Sequence, residues 1–91
     1  MDDLTGFQRD VLYLIAGREE PHGLAIKDAL EDYYEAEINH GRLYPNLDSL
    51  VDMGLVEKGK KDKRTNVYSL TQRGQKMIDE HREWKAQFID R

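Results

Sequence analysis

NHGRLYPNLDSLVDMGLVEKGKKDKRTNVYSLT, residues 39–71, is the stretch on which the fold turns. Leu43, Leu47, Leu50 and Val51 recur at helical spacing and mark the inner side of a helix between Gly41 and Met53. Asn39 or His40 is the expected N-cap, and Gly54 suits the position just past the end. Pro45 is tolerated because it falls in or just after the first turn, where losing an N–H costs least. With the leucines inward, Arg42, Pro45, Ser49 and Asp52 project outward and Tyr44 and Asn46 take the shoulders. Leu55–Gly59 and Asn66–Leu70 then read as two strands, the second carried by the β-propensity of Val67 and Tyr68. The stretch from Lys58 to Asn66 is cationic: Lys58, Lys60, Lys61, Lys63 and Arg64 stand there against Asp62 alone.

Upstream, Thr5 and Gln8 fit a capping box at the start of a first helix, with Leu4, Phe7, Val11, Leu14 and Ile15 on one face and Gly17 at its end. Leu12 and Tyr13 lie off that face, as ordinary exposed apolar residues or as part of a contact with a second chain. Arg18 to Pro21 is a polar connector. A second helix is predicted from His22-Gly23 to about Tyr34, with Ile26, Leu30 and Tyr33 inward and Asp28, Glu31, Asp32 and Glu35 as a solvated outer stripe. Downstream, Thr71 caps a last helix on which Met77, His81, Trp84 and Phe88 form a narrow seam of the coiled-coil type.

The order helix, helix, helix, hairpin, helix predicts a mainly α winged helix-turn-helix with a small β-hairpin. Its third helix would be the recognition helix, its two-stranded hairpin the wing, and its C-terminal helix the dimerisation element. Residues 1–71 would make the winged unit, and 72–91 the dimerisation helix of the same structural unit. Ninety-one residues leave no room for a second core, and so short a chain often leans on a partner.

Catalysis and metal binding find little support. His22, His40 and His81 have no further ligand at helical spacing, there is no cysteine, and no Gly-rich phosphate loop follows a strand. Adjacent carboxylate pairs such as Glu19-Glu20 lie in loops and present no fixed acid–base couple. No enzymatic activity, metal or cofactor is therefore expected. No apolar run is long enough to span a membrane and Met1-Asp2-Asp3 lacks the basic start of a signal peptide, so a cytoplasmic location is expected.

The net charge of −4 argues, taken alone, against a polyanionic partner, but the two signs are segregated. Asp28, Glu31, Asp32, Glu35 and Glu37 form a block with no base among them, while the wing is cationic. A helix fits the major groove, where Arg42 pairs well with guanine and Asn46 with adenine. His40, Tyr44 and Ser49 lie on the same helix, and Tyr44 can donate its hydroxyl to a phosphate. His22 and Gly23 present the start of the second helix to another phosphate. Lys60, Lys61, Lys63, Arg64 and Asn66 would follow the adjacent backbone and displace counterions. Each element has a dull counterpart: Arg42 as plain surface, Tyr44 packed on Val51, the lysine loop as a soluble turn that blunts a sheet edge. Their coincidence at one end of one unit favours double-stranded DNA. Leu12, Tyr13, Met77, His81, Trp84 and Phe88 are the expected contacts of a homodimer. The carboxylates near the wing and recognition helix predict an affinity that falls less with salt than the basic contacts alone imply.

Leu43-Tyr44-Pro45, then Leu47 and Leu50, Gly54-Leu55-Val56, and Tyr68, Leu70, Thr71 and Gly74 together resemble the signature of PadR-type winged-helix transcriptional regulators. His22-Gly23 is similar to the opening of that family's second helix, and the resemblance runs from about Leu4 to Trp84. LTGFQRDVLYLIAG and EINHGRLYPNLDSLV look closer still to the family's members in halophilic archaea, which agrees with the acidic composition. The resemblance implies a homodimer joined through terminal helices, binding a pseudo-palindromic operator, usually as a repressor. Many members carry a longer C-terminal domain that helps bind effectors. This sequence ends one helix past the wing, so no effector is assigned. A winged helix serving as a protein-binding adaptor, its lysine wing docking an acidic partner, is the alternative.

Overall fold

Thr5 begins the ordered architecture by closing both halves of a capping box. Its Oγ1 accepts from the Gln8 N–H and its own N–H donates to Gln8 Oε1, each at 3.1 Å. The computed structural model describes residues 3–89; Met1 and Asp2, read above for a signal, and Asp90 and Arg91, included above in the last helix, lie outside them. From the cap run α1 (Gly6–Ala16), α2 (Gly23–Tyr34), α3 (His40–Asp52), β1 (Val56–Lys60), β2 (Asn66–Leu70) and α4 (Gln72–Ile89). This is the expected winged helix-turn-helix with a two-stranded hairpin and a helix after it. The strands pair antiparallel with Val56 opposite Leu70 and Lys60 opposite Asn66.

Asn39 is the cap of α3, its Oδ1 accepting from the Arg42 N–H at 2.8 Å. Gly54 follows the helix at φ +76, a left-handed conformation that glycine adopts without a Cβ penalty. Thr71 serves twice: its hydroxyl donates to the Gly54 carbonyl at 2.7 Å and accepts from the Gly74 N–H at 3.0 Å. The end of α3 and the start of α4 are thereby tied together. Gly74 must be glycine, because a Cβ there would lie 2.3 Å from the Leu55 carbonyl oxygen.

Leu43, Leu47 and Leu50 of α3 are fully buried against Val11, Leu12 and Ile15 of α1 and Ile26 and Leu30 of α2. Tyr68 closes the core from the wing side and Ile78 from α4. The chain between α1 and α2 is more than a connector. His22 forms a bridge with Val67, and the Tyr68 N–H donates to the Pro21 carbonyl at 2.9 Å. Pro21 is suited to this sheet edge because only its carbonyl is asked to pair.

Two apolar expectations are corrected. Leu12 was assigned to a surface or a second chain, yet it is 0% exposed within its own protomer. Contact with α4 as well as α2 and α3 widens the buried arc of α1 beyond the single stripe read from its spacing. Tyr33 was assigned to the inner stripe of α2, yet it is 71% exposed. Tyr34, itself 36% exposed, makes the contact with α1 instead, its ring stacking on Phe7 at 6.2 Å and its hydroxyl donating to Asp10. Burial first, then this bond to a carboxylate, push the Tyr34 hydroxyl up to about 12. Glu31 also departs from the solvated stripe, since its Oε2 accepts from the Ile38 N–H at 2.9 Å and from Lys27 at 3.1 Å.

Because Leu12 belongs to the core of one protomer, Leu12→Ala should cost about 2–5 kcal/mol of folding stability. Urea unfolding followed by circular dichroism measures it, with the protein's concentration varied. A loss below about 1 kcal/mol, or one seen only at low concentration, would return Leu12 to an interface.

Candidate nucleic-acid interface

The tether at Pro21 and Tyr68 brings three segments to one edge of the molecule. His22, Gly23 and Leu24 open α2, His40 and Tyr44 stand on the first turns of α3, and Arg64, Thr65 and Asn66 form the base of the wing. Together they line a crevice of 370 Å³ floored by Tyr68. The His40 ring stacks on Tyr44 with centroids 5.3 Å apart and planes 4° from parallel. Tyr44 in turn lies across the backbone of Gly23, where an added Cβ would stand 2.3 Å from the hydroxyl oxygen. Glycine is thus required by the tyrosine, and the tyrosine is held over the mouth of α2.

That mouth differs from the other helix starts. α1, α3 and α4 receive side-chain caps from Thr5, Asn39 and Thr71, whereas His22 stands at the N-cap of α2 with no side-chain cap bond. The start of α2, with the positive end of its dipole and no side-chain cap, therefore lies on the crevice lining, an arrangement suited to an anion. Burial, then Asp48 and Tyr44, raise the Tyr68 hydroxyl above its ordinary range and keep it a proton donor. Lys60, Lys61, Lys63 and Arg64 are all exposed, Arg64 on the lining of the crevice itself. Among the described residues the ion pair found is Lys27–Glu31 on α2, and none involves these cations.

The structure does not gather every expected reader on the outer face of α3. Arg42 is exposed, but its guanidinium lies 4.0 Å from the Phe7 ring centroid, turned toward α1. Such an exposed stack costs only about 0.5–1 kcal/mol to release. Asn46, one turn on, is committed more firmly. Its Oδ1 accepts from Gln8 Nε2 at 3.0 Å and its Nδ2 donates to the Arg42 carbonyl at 2.7 Å. In the free protein the Asn46 amide thus joins α3 to α1, and pairing with adenine would require it to leave these partners. At 100° per residue the outward line of α3 runs through Gly41, Pro45, Asp48, Ser49 and Asp52. Ser49 donates back to the Pro45 carbonyl at 3.0 Å and keeps acceptor capacity toward solvent. Asp48, exposed and between Tyr44 and Asp52 on this face, was missed; charge at helical spacing was the available signal.

The second expected contact surface, on α1 and α4, is divided between inner and outer roles. Tyr13 and His81 meet across the two helices, with Tyr13 Oη and His81 Nδ1 2.9 Å apart. Burial and then the charges of Lys85 and Arg9 hold the His81 ring below its ordinary pKa. Met77 packs against the core. Past them, His81 stacks on Trp84 at 6.0 Å and Trp84 meets Phe88 edge-on at 5.0 Å. Trp84 and Phe88 are 57% and 55% exposed, and Ile89, absent from the seam read in the sequence, is 73% exposed. No helix among the described residues is long and apolar enough to cross a membrane.

Residues 11–80 match the model of the transcriptional regulator PadR-like family. The chain is similar to Halobacterium salinarum RosR in the RosR–S1 complex, with a TM-score of 0.92 and 52% identity over 99% of this chain and 80% of that one. It is similar also to RosR in crystals grown from NaBr, at 0.90 and 52% over 98% of this chain and 81% of that one. A PadR-like transcription factor of Bacteroides fragilis shares the fold at a TM-score of 0.74 and 21% identity, covering 87% of this chain and 80% of that one. No curated protein matches the chain.

Gly23→Ala drives a methyl into Tyr44 and should displace the ring from the start of α2. Duplex affinity, read by fluorescence anisotropy at fixed salt, is expected to fall about tenfold, the equivalent of one well-placed phosphate contact. Parent affinity in a folded Gly23→Ala protein would remove Tyr44 and α2 from the contact surface.

Proposed function

Because the chain belongs to the PadR-like family of transcriptional regulators, a winged-helix, DNA-binding type, we propose that it acts as a cytoplasmic homodimer that represses transcription from a pseudo-palindromic operator. The observation that carries the DNA contact is the crevice where α2, α3 and the wing meet, with an uncapped helix start, a tyrosine hydroxyl and an exposed arginine turned to one edge. α3 enters the major groove. Gly23 and Tyr44 hold one backbone phosphate at the mouth of α2, with His22 and His40 beside them. Lys60, Lys61, Lys63, Arg64 and Asn66 follow the neighbouring backbone. Arg42 swings from Phe7 to the groove edge, and Ser49 lies on the face against the bases. No step of this function requires a catalytic group.

Asp48 and Asp52 on the same face bring carboxylates toward phosphate. Their repulsion weakens as the Debye length contracts from about 8 Å at physiological salt to about 3 Å at 1 M. Anisotropy with operator and scrambled duplexes across a potassium chloride series tests both parts of this reading. Sequence preference is expected, with a salt slope shallower than four or more wing contacts per subunit would give on their own. Absence of duplex binding at any salt would leave the adaptor alternative in its place.

The dimer rests on Trp84, Phe88 and Ile89, a run of exposed apolar surface too large for α1 of the same protomer to cover. Tyr13, Met77 and His81 extend it toward α1, and pairing of these faces about a two-fold axis sets two recognition helices about 34 Å apart. Trp84→Glu is expected to give a monomer by sedimentation at micromolar concentration, with operator binding weakened at least a hundredfold. A monomeric parent would end the dimer proposal and leave the fold untouched.

A further inference from the structure

The loop at the tip of the wing carries one acid, Asp62, among charged residues that are otherwise all basic. Next to a polyanion a carboxylate repels, so on charge alone this residue weakens the contact made by its neighbours. Its geometry gives it another task. Asp62 Oδ1 accepts from the Arg64 N–H at 2.9 Å and from the Thr65 N–H at 2.9 Å. The same loop is closed by the Lys61 N–H donating to the Thr65 carbonyl at 2.9 Å. One side-chain oxygen therefore folds residues 62–65 into an Asx-type turn inside the last backbone bond of the hairpin. Residues 61–64 are exposed and make no other side-chain bond among the described residues, so packing does not shape the tip. The bonds from the Arg64 and Thr65 backbone hold the carboxyl below its ordinary range, as expected of an acceptor in use.

We propose that Asp62 is a positioning residue of the DNA contact: its carboxylate orders the wing tip so that Lys61, Lys63 and Arg64 reach the backbone together, and this gain outweighs its own repulsion of phosphate. The inference rests on the DNA-binding reading above. It assigns a favourable role to a charge of the wrong sign. Without the turn, the tip must be ordered on binding, and each lysine loses its fixed distance from the crevice that holds α2 and Arg64.

The test compares Asp62→Ala and Asp62→Asn with the parent on one operator duplex, by anisotropy across a potassium chloride series. Asparagine keeps an oxygen that accepts both N–H groups and removes the charge; alanine removes both. The expected order is Asp62→Asn equal to or tighter than the parent, and Asp62→Ala about tenfold weaker with a reduced salt slope. Amide hydrogen exchange at Arg64 and Thr65 should quicken in the alanine variant alone, while circular dichroism of all three stays the same. If both variants bind more tightly than the parent to a similar degree, charge alone governs and the proposal is overturned. If the parent binds no duplex, the DNA-binding reading fails first and this proposal falls with it.

Discussion

The hydrogen bond from the Tyr68 N–H to the Pro21 carbonyl holds the rest of the arrangement in place. A two-stranded hairpin is marginal by itself, and this bond adds to the packing of Val56, Tyr68 and Leu70 on the core. With it, β2 is fixed beside the start of α2, and the bridge between His22 and Val67 continues the pairing by one residue. The buried Tyr68 ring then serves both sides, closing the core below and flooring the crevice above. The relative placement of wing and helix mouths is therefore decided by the same contacts that stabilise the domain. A partner that docked there would meet a surface already assembled, and little ordering entropy would oppose the encounter.

The charged residues of this molecule differ in how far they are engaged within it. The cations of the wing have no intramolecular partners among the described residues, while Lys27 on α2 is paired with Glu31. Glu31 is in turn held by the Ile38 backbone, so part of the acidic block is structural. Arg42 occupies a middle position: exposed, yet stacked on Phe7. An exposed guanidinium stacked on an aromatic face is held only weakly, so it can leave at a cost of about 0.5–1 kcal/mol.

Much of this was legible in the sequence, for reasons that differ between elements. The capping box at Thr5, the Asn39 cap and the Gly54 stop are local chemistry, and local chemistry survives folding. The leucine spacing of α3 gave its inner face because that face packs on both neighbouring helices and the wing. Leu12 was misassigned because spacing along one helix cannot say how many elements surround it. Tyr33 was assigned inward because adjacent aromatics at a helix end differ by only about 100°, and it is Phe7 and Asp10 that draw Tyr34 to α1. At the interface, residue types in the wing and at His22-Gly23 pointed to one edge, but the commitment of Asn46 to Gln8 is a contact across distant segments with no local signal. The Pro21 tether was invisible for the same reason.

One property of α4 has a bearing on how such chains diverge. Ile78 is its last buried residue, and beyond it the helix is a strut that carries Trp84, Phe88 and Ile89 on its exposed surface. Adding or deleting one residue in a strut turns everything after it by about 100° and moves it by about 1.5 Å. The aromatic line would no longer continue from Met77 and His81, and any mate docked on it would rotate through more than a quarter turn. Two DNA half-sites are read from one side of a duplex only when their phase is kept. Length changes in this strut are then tolerated only near whole numbers of helical turns, in steps of about seven residues for a faithful restoration. The wing tip, closed by its own backbone bond, is free of that arithmetic, so insertions should accumulate in the one place and be purged from the other.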